Sequence, residues 1–264
     1  MIRALSTAAT GMDAQQTKLD VTANNIANVS TTGYKKSRAE FQDLMYQTLR
    51  APVGTATSGG VSGTPTGIQV GLGVRAGATQ RIHTQGDPKI TNSPLDLTIE
   101  GTGFFKIEMP NGQIAYTRDG TFKPNSDGKI VTSDGYHLHG NIALPPDANN
   151  IHIGPDGVVT VTLPGAEAAP TEVGKIELAT FVNPAGLSPQ GRNLFRESGA
   201  SGPPVHAVPG ENGAGSIAQG QLEMSNVSVV EEMVDLISGQ RAYEVNSRVI
   251  KAADEMLQTT SNLR

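Results

Sequence analysis

The sequence predicts an α+β fold in which the N- and C-terminal helices pair as a coiled coil and the middle of the chain is all β. Three observations predict it. Apolar residues recur every seven positions near the two ends, turn dipeptides punctuate the middle, and no helical pattern lies between those turns. With 31 glycines, 16 prolines and only 4% aromatic residues, the middle should form thin β modules that depend partly on partners for stability.

The first helix is predicted over residues 2–29. Its apolar seam repeats every seven residues and comprises Leu5, Met12, Leu19 and Ile26. Gly11 and several threonines lower the helix propensity, so we expect this helix to be marginal in an isolated chain. Gly33 is the expected helix stop.

The segment 51–77 is rich in glycine, threonine and serine. Such a composition is typical of a flexible loop in a monomer, and it is also compatible with an extended arm that becomes ordered in an assembly. The sequence leaves these two alternatives open.

The closely spaced turns in the middle of the chain predict a β meander or small barrel. Its turn signals are Asn111-Gly112, Asp119-Gly120, Asp127-Gly128, Asp134-Gly135 and Asp156-Gly157. Strand-like runs occupy 103–109, 114–117, 129–132, 136–139, 157–163 and 175–182.

The last helix begins with a capping box from Ser228 to Glu231, and we expect it to run to about Leu263. Its seam comprises Val229, Met233, Leu236, Tyr243, Ile250 and Leu257. Two ordinary amphipathic helices that cover a sheet are the alternative to a coiled coil. The predicted domains are a helical domain (1–34 and 222–264), a connecting β and extended-arm region (35–95 and 190–221), and an outer β domain (96–189).

Composition excludes several classes of protein. The net charge of −5 argues against a general nucleic-acid binder. The absence of cysteine excludes disulfides and thiolate nucleophiles. The N-terminus lacks the unbroken apolar stretch of a cleaved signal peptide, and no window approaches a membrane span, so we expect no direct membrane insertion.

Candidate chemistry is sparse. His137 and His139 could share one strand face and bind a metal with Asp134 or His152, but a pair of exposed strand histidines is the favoured interpretation. The pair Gly101 and Gly103 lacks the third glycine of a dinucleotide fingerprint and is interpreted as a tight turn. The basic cluster 35–38 is interpreted as a solvated turn or an intersubunit ion-pair site. We predict no catalytic residue, no metal and no cofactor.

Four ordered segments resemble the signatures of bacterial flagellar rod and hook proteins. They lie at 20–35, at 101–105 with 116–122, at 212–215 with 219–220, and at 226–246. The residues that we take as the signature are Asn24, Asn25, Asn28, Gly33, Tyr34, Lys35, Gly103, Phe104, Arg241, Tyr243 and Glu244. Among the rod and hook proteins, the segment 41–50 most resembles the corresponding segment of distal rod proteins.

The resemblance implies a structural subunit and not an enzyme. Copies would assemble into a rigid helical tube that carries motor torque. The implied partners are further copies of the chain, the proximal rod, the hook protein, the P- and L-ring proteins and the flagellar type III export apparatus. The implied location is the basal body, from the periplasm to the outer membrane, reached without a cleaved signal peptide. The alternatives are a proximal rod or hook protein, or a non-flagellar β-domain binding protein dimerised by its helices.

Overall fold

The computed structural model describes residues 2–51, 66–140, 142–148, 150–163 and 170–262. It confirms the α+β class, with one helix near each end of the chain and strands between them. The chain divides into two compact units. Unit 1 comprises Met1–Ile26, Ser37–Gln80 and Val229–Arg264, and unit 2 comprises Ala27–Lys36 and Arg81–Ser228. The division into three regions stays a prediction.

The described α-helices are α1 (Ile2–Ala27) and α2 (Val229–Asn262), and Pro184–Gly186 forms a short 3-10 helix. The described strands are β1 (Ser37–Asp43), β2 (Tyr46–Arg50), β3 (Ile68–Gly71), β4 (Val74–Arg81), β5 (Pro88–Ile90), β6 (Leu97–Glu100), β7 (Phe104–Glu108), β8 (Ile114–Thr117), β9 (Phe122–Pro124), β10 (Ile130–Thr132), β11 (His137–Leu138), β12 (Asn150–Ile153), β13 (Val158–Thr162), β14 (Thr171–Lys175), β15 (Leu178–Thr180), β16 (Ser188–Gly191), β17 (Leu194–Arg196), β18 (Val205–Ala207), β19 (Ser216–Gln219) and β20 (Gln221–Glu223).

In unit 1 the predicted arm is a β-ribbon. Strand β1 pairs with β4, and β2 pairs with β3 in antiparallel register. Between these two pairs, the Leu44 N–H donates to the Gly73 carbonyl at 2.8 Å and the Leu72 N–H donates to the Met45 carbonyl at 3.2 Å. The chain of 66–81 therefore returns along 37–50. The remainder of the predicted arm, residues 52–65, lies outside the described residues.

In unit 2 the described strands build one large antiparallel sheet and three smaller ones. The order in the large sheet is β16-β17-β8-β7-β11-β10-β9, with β15 added beside β7 and β18 beside β15. The smaller sheets are β12-β13-β14, β6-β19 and β5-β20. The predicted strand over 175–182 is interrupted, because β14 ends at Lys175 and β15 begins only at Leu178.

Four of the five predicted turn dipeptides are confirmed by a glycine with positive φ, at Gly112, Gly128, Gly135 and Gly157. The fifth, Asp119-Gly120, has a different cause. A Cβ at Gly120 would lie 1.7 Å from the Leu97 carbonyl oxygen, so glycine is required there by the close approach of β6. The pair Gly101 and Gly103, with φ of +112° and +139°, forms the bend between β6 and β7, as the tight-turn interpretation predicted.

Two apolar clusters stabilise unit 2. The larger one gathers buried side chains such as Leu97, Phe105 and Val159, and the smaller one is built around Phe104, Tyr116 and Phe195. The rings of Phe104 and Phe195 lie 6.0 Å apart in an edge-to-face arrangement. This compact β core holds the loop after α1, which carries part of the signature.

Candidate assembly surfaces and signature cluster

Within unit 1, α1 and α2 lie antiparallel. The Asn25 amide donates to the Glu232 carboxylate at 3.1 Å, and the Lys18 ammonium binds Asp235 at 2.9 Å. Towards the chain ends, Gly11 lies against Asn246. As the residue number falls along α1, the contacted number rises along α2. The helices therefore pair; the heptad geometry of a coiled coil stays a prediction.

Two glycines make room for side chains of the opposite helix. A Cβ at Gly239 would lie 3.0 Å from the Leu19 Cδ2, and a Cβ at Gly11 would lie 3.0 Å from the Asn246 Nδ2. Glycine lowers helix propensity, so its presence at these positions reflects packing. Gly239 is buried and Gly11 is half-buried. The other buried positions described on the two helices are also small or polar. They are Ala8, Ala14, Thr22, Asn25, Glu232 and Ala253.

The predicted apolar seams lie beside this contact. On α1, the seam residues Leu5, Met12, Leu19 and Ile26 are half-buried. On α2, Leu236 and Ile250 are half-buried. The remaining seam residues of α2 are exposed, and they are Val229, Met233, Tyr243 and Leu257. The small and polar contact was missed because heptad counting scores only large apolar side chains.

The signature residue Asn25 joins three elements of unit 1. Its amide nitrogen donates to the Ser37 carbonyl at 2.9 Å, and its amide oxygen accepts from the Ser37 N–H at 2.9 Å. The same amide nitrogen reaches Glu232 on α2. Because an asparagine amide can mimic a peptide group, Asn25 pairs with the backbone N–H and C=O of Ser37, the first residue of β1, as a neighbouring strand would. Asn25 therefore fixes the start of the ribbon against α1.

A second contact fixes the ribbon to α1. The Val74 N–H donates to the Thr10 hydroxyl at 3.4 Å, and Gly73 has a φ of +124°. A Cβ at Gly73 would lie 2.2 Å from the Thr10 Oγ1, so glycine is required by both conformation and space. The outer part of the ribbon exposes large apolar side chains, at Met45, Tyr46, Leu49 and Ile68. A two-stranded ribbon with exposed apolar residues is marginal by itself in water.

The outward side of α2 carries an apolar patch, which we call the α2 patch. It comprises Val230, Met233, Val234 and Ile237, with 74%, 54%, 62% and 47% of their surfaces exposed. Their i, i+3, i+4, i+7 spacing places them on one side of the helix. Exposed apolar patches of this kind mark contact surfaces for other proteins.

In unit 2 the signature residues 33–35 form part of a buried cluster. The Lys35 ammonium donates to the Thr84 carbonyl at 2.6 Å and forms an ion pair with Glu223, and both side chains are essentially inaccessible. Glu223 also accepts from the Gly86 N–H at 3.0 Å and lies 3.4 Å from the Arg118 Nε. Burial is the main cause that lowers the pKa of Lys35, and Glu223 opposes that shift.

Gly33 and Tyr34 complete the signature loop. The predicted helix stop was wrong in position, because α1 ends at Ala27 and Gly33 lies six residues later. Its N–H donates to the Glu223 carbonyl at 2.8 Å, its φ is +66°, and a Cβ would lie 2.6 Å from the Asp119 backbone nitrogen. Tyr34 is buried, with the Arg81 guanidinium 5.9 Å from its ring.

The cluster is rich in cations. Burial lowers the pKa of Arg81 and of Arg118. His83 lies edge-to-face against Phe104 and Phe195, at 5.5 and 5.6 Å. Burial, followed by the charges of Lys35, Arg81 and Arg118, lowers the pKa of His83 to about 4. His83 is therefore neutral at pH 7, and a cation at this site would be repelled by three others.

The remaining signature residues are distributed between the units. In unit 2, Gly103 has positive φ, Phe104 is buried, and Asn28 accepts from the Thr31 hydroxyl at 3.2 Å. In unit 1, Asn24, Arg241, Tyr243 and Glu244 lie on exposed helix positions. Glu223, Arg118 and Glu232 were not singled out from the sequence. A charged residue inside an apolar strand pattern, as in Leu222-Glu223-Met224, is the signal that could have found the first.

The histidine pair His137 and His139 is not accompanied, among the described residues, by the further histidine or carboxylate ligands that a metal site needs. His139 Nδ1 lies 2.6 Å from a Glu108 carboxylate oxygen, and His137 and His139 are both half-buried rather than exposed. Among the described residues, no three histidines or carboxylates lie close enough together to hold an ion. Neither of the described helices combines the length and apolarity needed to cross a bilayer.

Three family models match separate segments of the chain. The model for flagella basal body rod proteins matches residues 5–35, and the model for the flagellar hook protein FlgE/F/G D1 domain matches 98–161. The model for the flagellar basal body rod FlgEFG protein C-terminal matches 218–263. These segments include α1, the central strands of unit 2 and α2.

Curated relatives extend the similarity to the whole chain. The flagellar basal-body rod protein FlgG of Caulobacter vibrioides is 51% identical over 264 residues, which is all of both chains. The Borreliella burgdorferi protein of the same name is 50% identical over 266 residues, covering all of this chain and 99% of that one. In Bacillus subtilis, FlgG is 42% identical and the flagellar hook-basal body complex protein FlhP is 30% identical, each over the full length.

Proposed function

The chain belongs to the family of flagellar basal-body rod proteins and is a structural subunit of the distal rod; we propose that copies of it assemble into a rigid helical tube that transmits motor torque. The observation that carries the proposal is the identity of 42–51% over the whole chain to rod proteins from distant bacteria. The 30% identity to the Bacillus hook-basal body complex protein is clearly lower. This difference favours the distal rod over other axial proteins.

The helix pair is the proposed assembly element. Because small and polar residues form much of the contact between α1 and α2, many large apolar side chains of α2 remain exposed in a single chain. Their burial against other copies contributes about 25 cal/mol per Å² of apolar surface. A repeated contact that does not close into a ring produces a helical filament. The seam residues of both helices, from Leu5 to Ile26 and from Val229 to Leu257, are proposed to lie in these contacts.

The ribbon is the proposed stiffening arm. It is fixed to α1 at two places, through Thr10 and Gly73 and through Asn25 and Ser37. Fifteen residues of α1 separate these places, which corresponds to about 22 Å along the helix axis. Two separated attachments resist rotation of the ribbon better than one, so contacts made by its exposed apolar tip would be transmitted to the helix pair.

The chain is placed in the flagellar basal body, where it assembles with other flagellar components. We propose that its neighbours are the proximal rod, the hook protein and the P- and L-ring proteins, between the periplasm and the outer membrane. We also propose export through the flagellar type III apparatus without a cleaved signal peptide. Its relatives are structural rod proteins, and we propose that this chain has no enzymatic activity.

Truncation and electron microscopy test the assembly role. Chains that lack 2–26 or 229–262 should fail to form rods in cells without another copy, and those cells should not swim. Intact rods from either truncated chain would overturn the proposal. Discrete dimers of the full chain would instead favour the alternative of a β-domain binding protein dimerised by its helices.

A shortened ribbon tests the stiffening role separately. Replacing residues 45–72 by Asn-Gly closes the ribbon at Leu44 and Gly73, which already share a ladder hydrogen bond. Rods should still form, but they should bend more in electron micrographs than full-length rods on the same grids. Equal bending would remove the stiffening role and leave the assembly role intact.

A further inference from the structure

We propose that Arg81 binds an oxyanion, the chemistry shared by inorganic phosphate and a carboxylate, at the edge of the buried charged cluster of unit 2. Arg81 is the last residue of β4 and is half-buried, whereas Lys35 and Arg118 of the same cluster are buried. In the described part of the chain, no carboxylate or carbonyl oxygen accepts a hydrogen bond from the Arg81 guanidinium. This cation therefore reaches solvent with its donors available to a ligand.

Two aromatic rings hold the guanidinium in place. Its central carbon lies 5.2 Å from the centre of the Phe195 ring and 5.9 Å from the centre of the Tyr34 ring. Both rings are buried in unit 2, so they restrict the positions that the Arg81 side chain can adopt. A side chain that is already ordered loses little conformational freedom when it binds a ligand.

The cluster has more positive charge than its buried carboxylate balances. The side chains of Lys35 and Arg118 are 0% and 4% exposed, and both face Glu223. Arg81 adds a third cation without adding a carboxylate, and the charges of all three cations act on His83. The buried Arg118 Nη1 also has no hydrogen-bond acceptor among the described residues. Because buried charges are costly when they are unpaired, a further negative charge at this place should stabilise the folded chain.

The chemistry of Arg81 favours an oxyanion over a halide. A guanidinium presents its N–H donors in a planar fork, which matches two oxygens of a carboxylate or a phosphate. Lys35 and Arg118 are buried, and they strengthen the attraction through the protein interior, where charges interact more strongly than in water. The pKa of His83 is lowered to about 4 by burial and by the same cations. The site therefore attracts oxyanions at neutral pH without a charge on His83.

Thermal unfolding of the unassembled chain tests the site. Sodium chloride is replaced stepwise by sodium phosphate at pH 7 and constant ionic strength. We expect the Tm of the wild-type chain to rise by about 2–4 °C more than that of Arg81→Gln once phosphate exceeds its dissociation constant about fivefold. Arg196→Gln, at the exposed residue after Phe195, is the matched control and should respond as the wild type does. Comparison among the three chains removes the general effect of phosphate on folded proteins.

Rods distinguish the two sources of the oxyanion, and this part of the test rests on the proposed self-assembly. If a carboxylate of a second copy occupies the site, Arg81→Gln should lower the dissociation temperature of rods by more than it lowers the Tm of the unassembled chain. If the oxyanion is free phosphate, phosphate should raise the dissociation temperature of wild-type rods and not that of Arg81→Gln rods.

The outcomes separate this inference from the proposed function. Equal responses of the wild type and Arg81→Gln, in the unassembled chain and in rods alike, would overturn the oxyanion site and leave the proposed function standing. An equally reduced response of Arg196→Gln would also overturn it, because phosphate would then act on surface charge in general. Absence of rods from the wild-type chain would overturn the proposed function, while the unassembled chain would still decide whether the site exists.

Discussion

Lys35 and Glu223 lie 188 residues apart in the chain and form an ion pair that is inaccessible to solvent. Lys35 lies in the loop after α1, and Glu223 is the last residue of β20, shortly before α2. Both residues belong to unit 2, so the pair ties the segment after the first helix to the segment before the last. The cluster around it also includes Arg81, Arg118 and His83, and Glu223 is the buried carboxylate that faces Lys35 and Arg118.

Loss of the Glu223 carboxylate should cost more than loss of the Lys35 ammonium. Glu223→Leu leaves Lys35 and Arg118 buried without a carboxylate, and we expect a loss of about 3–5 kcal/mol in the free energy of unfolding. Lys35→Met leaves Glu223 beside Arg118 and should cost less. In the Glu223→Leu background, Lys35→Met should restore stability, because it removes a buried uncompensated cation.

Urea unfolding of the unassembled chain, followed by circular dichroism, measures these three changes. Arg196→Met, at an exposed position of β17, is the control and should change stability little. A larger loss from Lys35→Met than from Glu223→Leu would contradict the account of the cluster.

Gly33→Ala should destabilise the chain severely, whereas Gly135→Ala should cost about 1 kcal/mol. Both glycines have positive φ, +66° and +85°, so both substitutions bear the same conformational cost. Only at Gly33 would the new Cβ meet backbone atoms, at 2.6 Å from the Asp119 nitrogen, while nothing lies within 4 Å at Gly135. Thermal unfolding of the two variants separates the effect of space from that of φ. Equal losses would show that the loop moves freely away from Asp119.

Stability should fall as the pH falls from about 6.5 towards 4, and His83 should cause part of the fall. The pKa of His83 is lowered to about 4 in the folded chain. In this pH window the unfolded chain therefore binds more protons, and this binding stabilises the unfolded chain relative to the folded one. The full contribution is at most about 3 kcal/mol. His83→Phe removes the titrating group and fits between two aromatic rings, so its stability should depend less on pH there.

Chemical unfolding at pH 7 and at pH 4.5 measures this difference. His152→Gln, at an exposed position of β12, is the control for the loss of a histidine side chain. An identical pH dependence of the His83→Phe variant and the wild-type chain would contradict the assigned role of His83.

The amides of α1 should exchange rapidly in the unassembled chain and slowly in rods. The contact between α1 and α2 buries small and polar side chains, which contributes little apolar burial, and Gly11 and the threonines lower helix propensity. Hydrogen exchange followed by mass spectrometry compares peptides from 2–27 with peptides from β7 and β8. Strong protection of 2–27 before assembly would contradict the proposal that these helices become stable through their neighbours.

The fold class was predictable because its signals are local. Heptad spacing located the terminal helices, and aspartate- or asparagine-glycine pairs located four turns. Gly120 shows the limit of this reasoning, since its reason for being glycine is a carbonyl more than twenty residues away in the chain. The pairing of β2 with β3 was equally hidden, because Tyr46–Arg50 and Ile68–Gly71 are short and lack a buried alternating pattern.

The candidate site was predictable only in part. The signature located Asn25, Gly33 and Lys35, but their partners Glu232, Asp119 and Glu223 come from distant segments that no spacing rule connects. The contact between the helices was missed because glycine, alanine and asparagine form much of it without raising the hydrophobicity of a seam. The large apolar residues on which heptad counting depends are the ones left exposed on α2.

The most direct test of the account is electron cryomicroscopy of rods assembled from this chain. We expect a helical tube in which α1 and α2 of each copy pair antiparallel at the inner wall, with the exposed apolar residues of α2 buried against other copies. A tube in which those residues remain in contact with solvent, or an assembly that stops at closed dimers, would contradict the central claim.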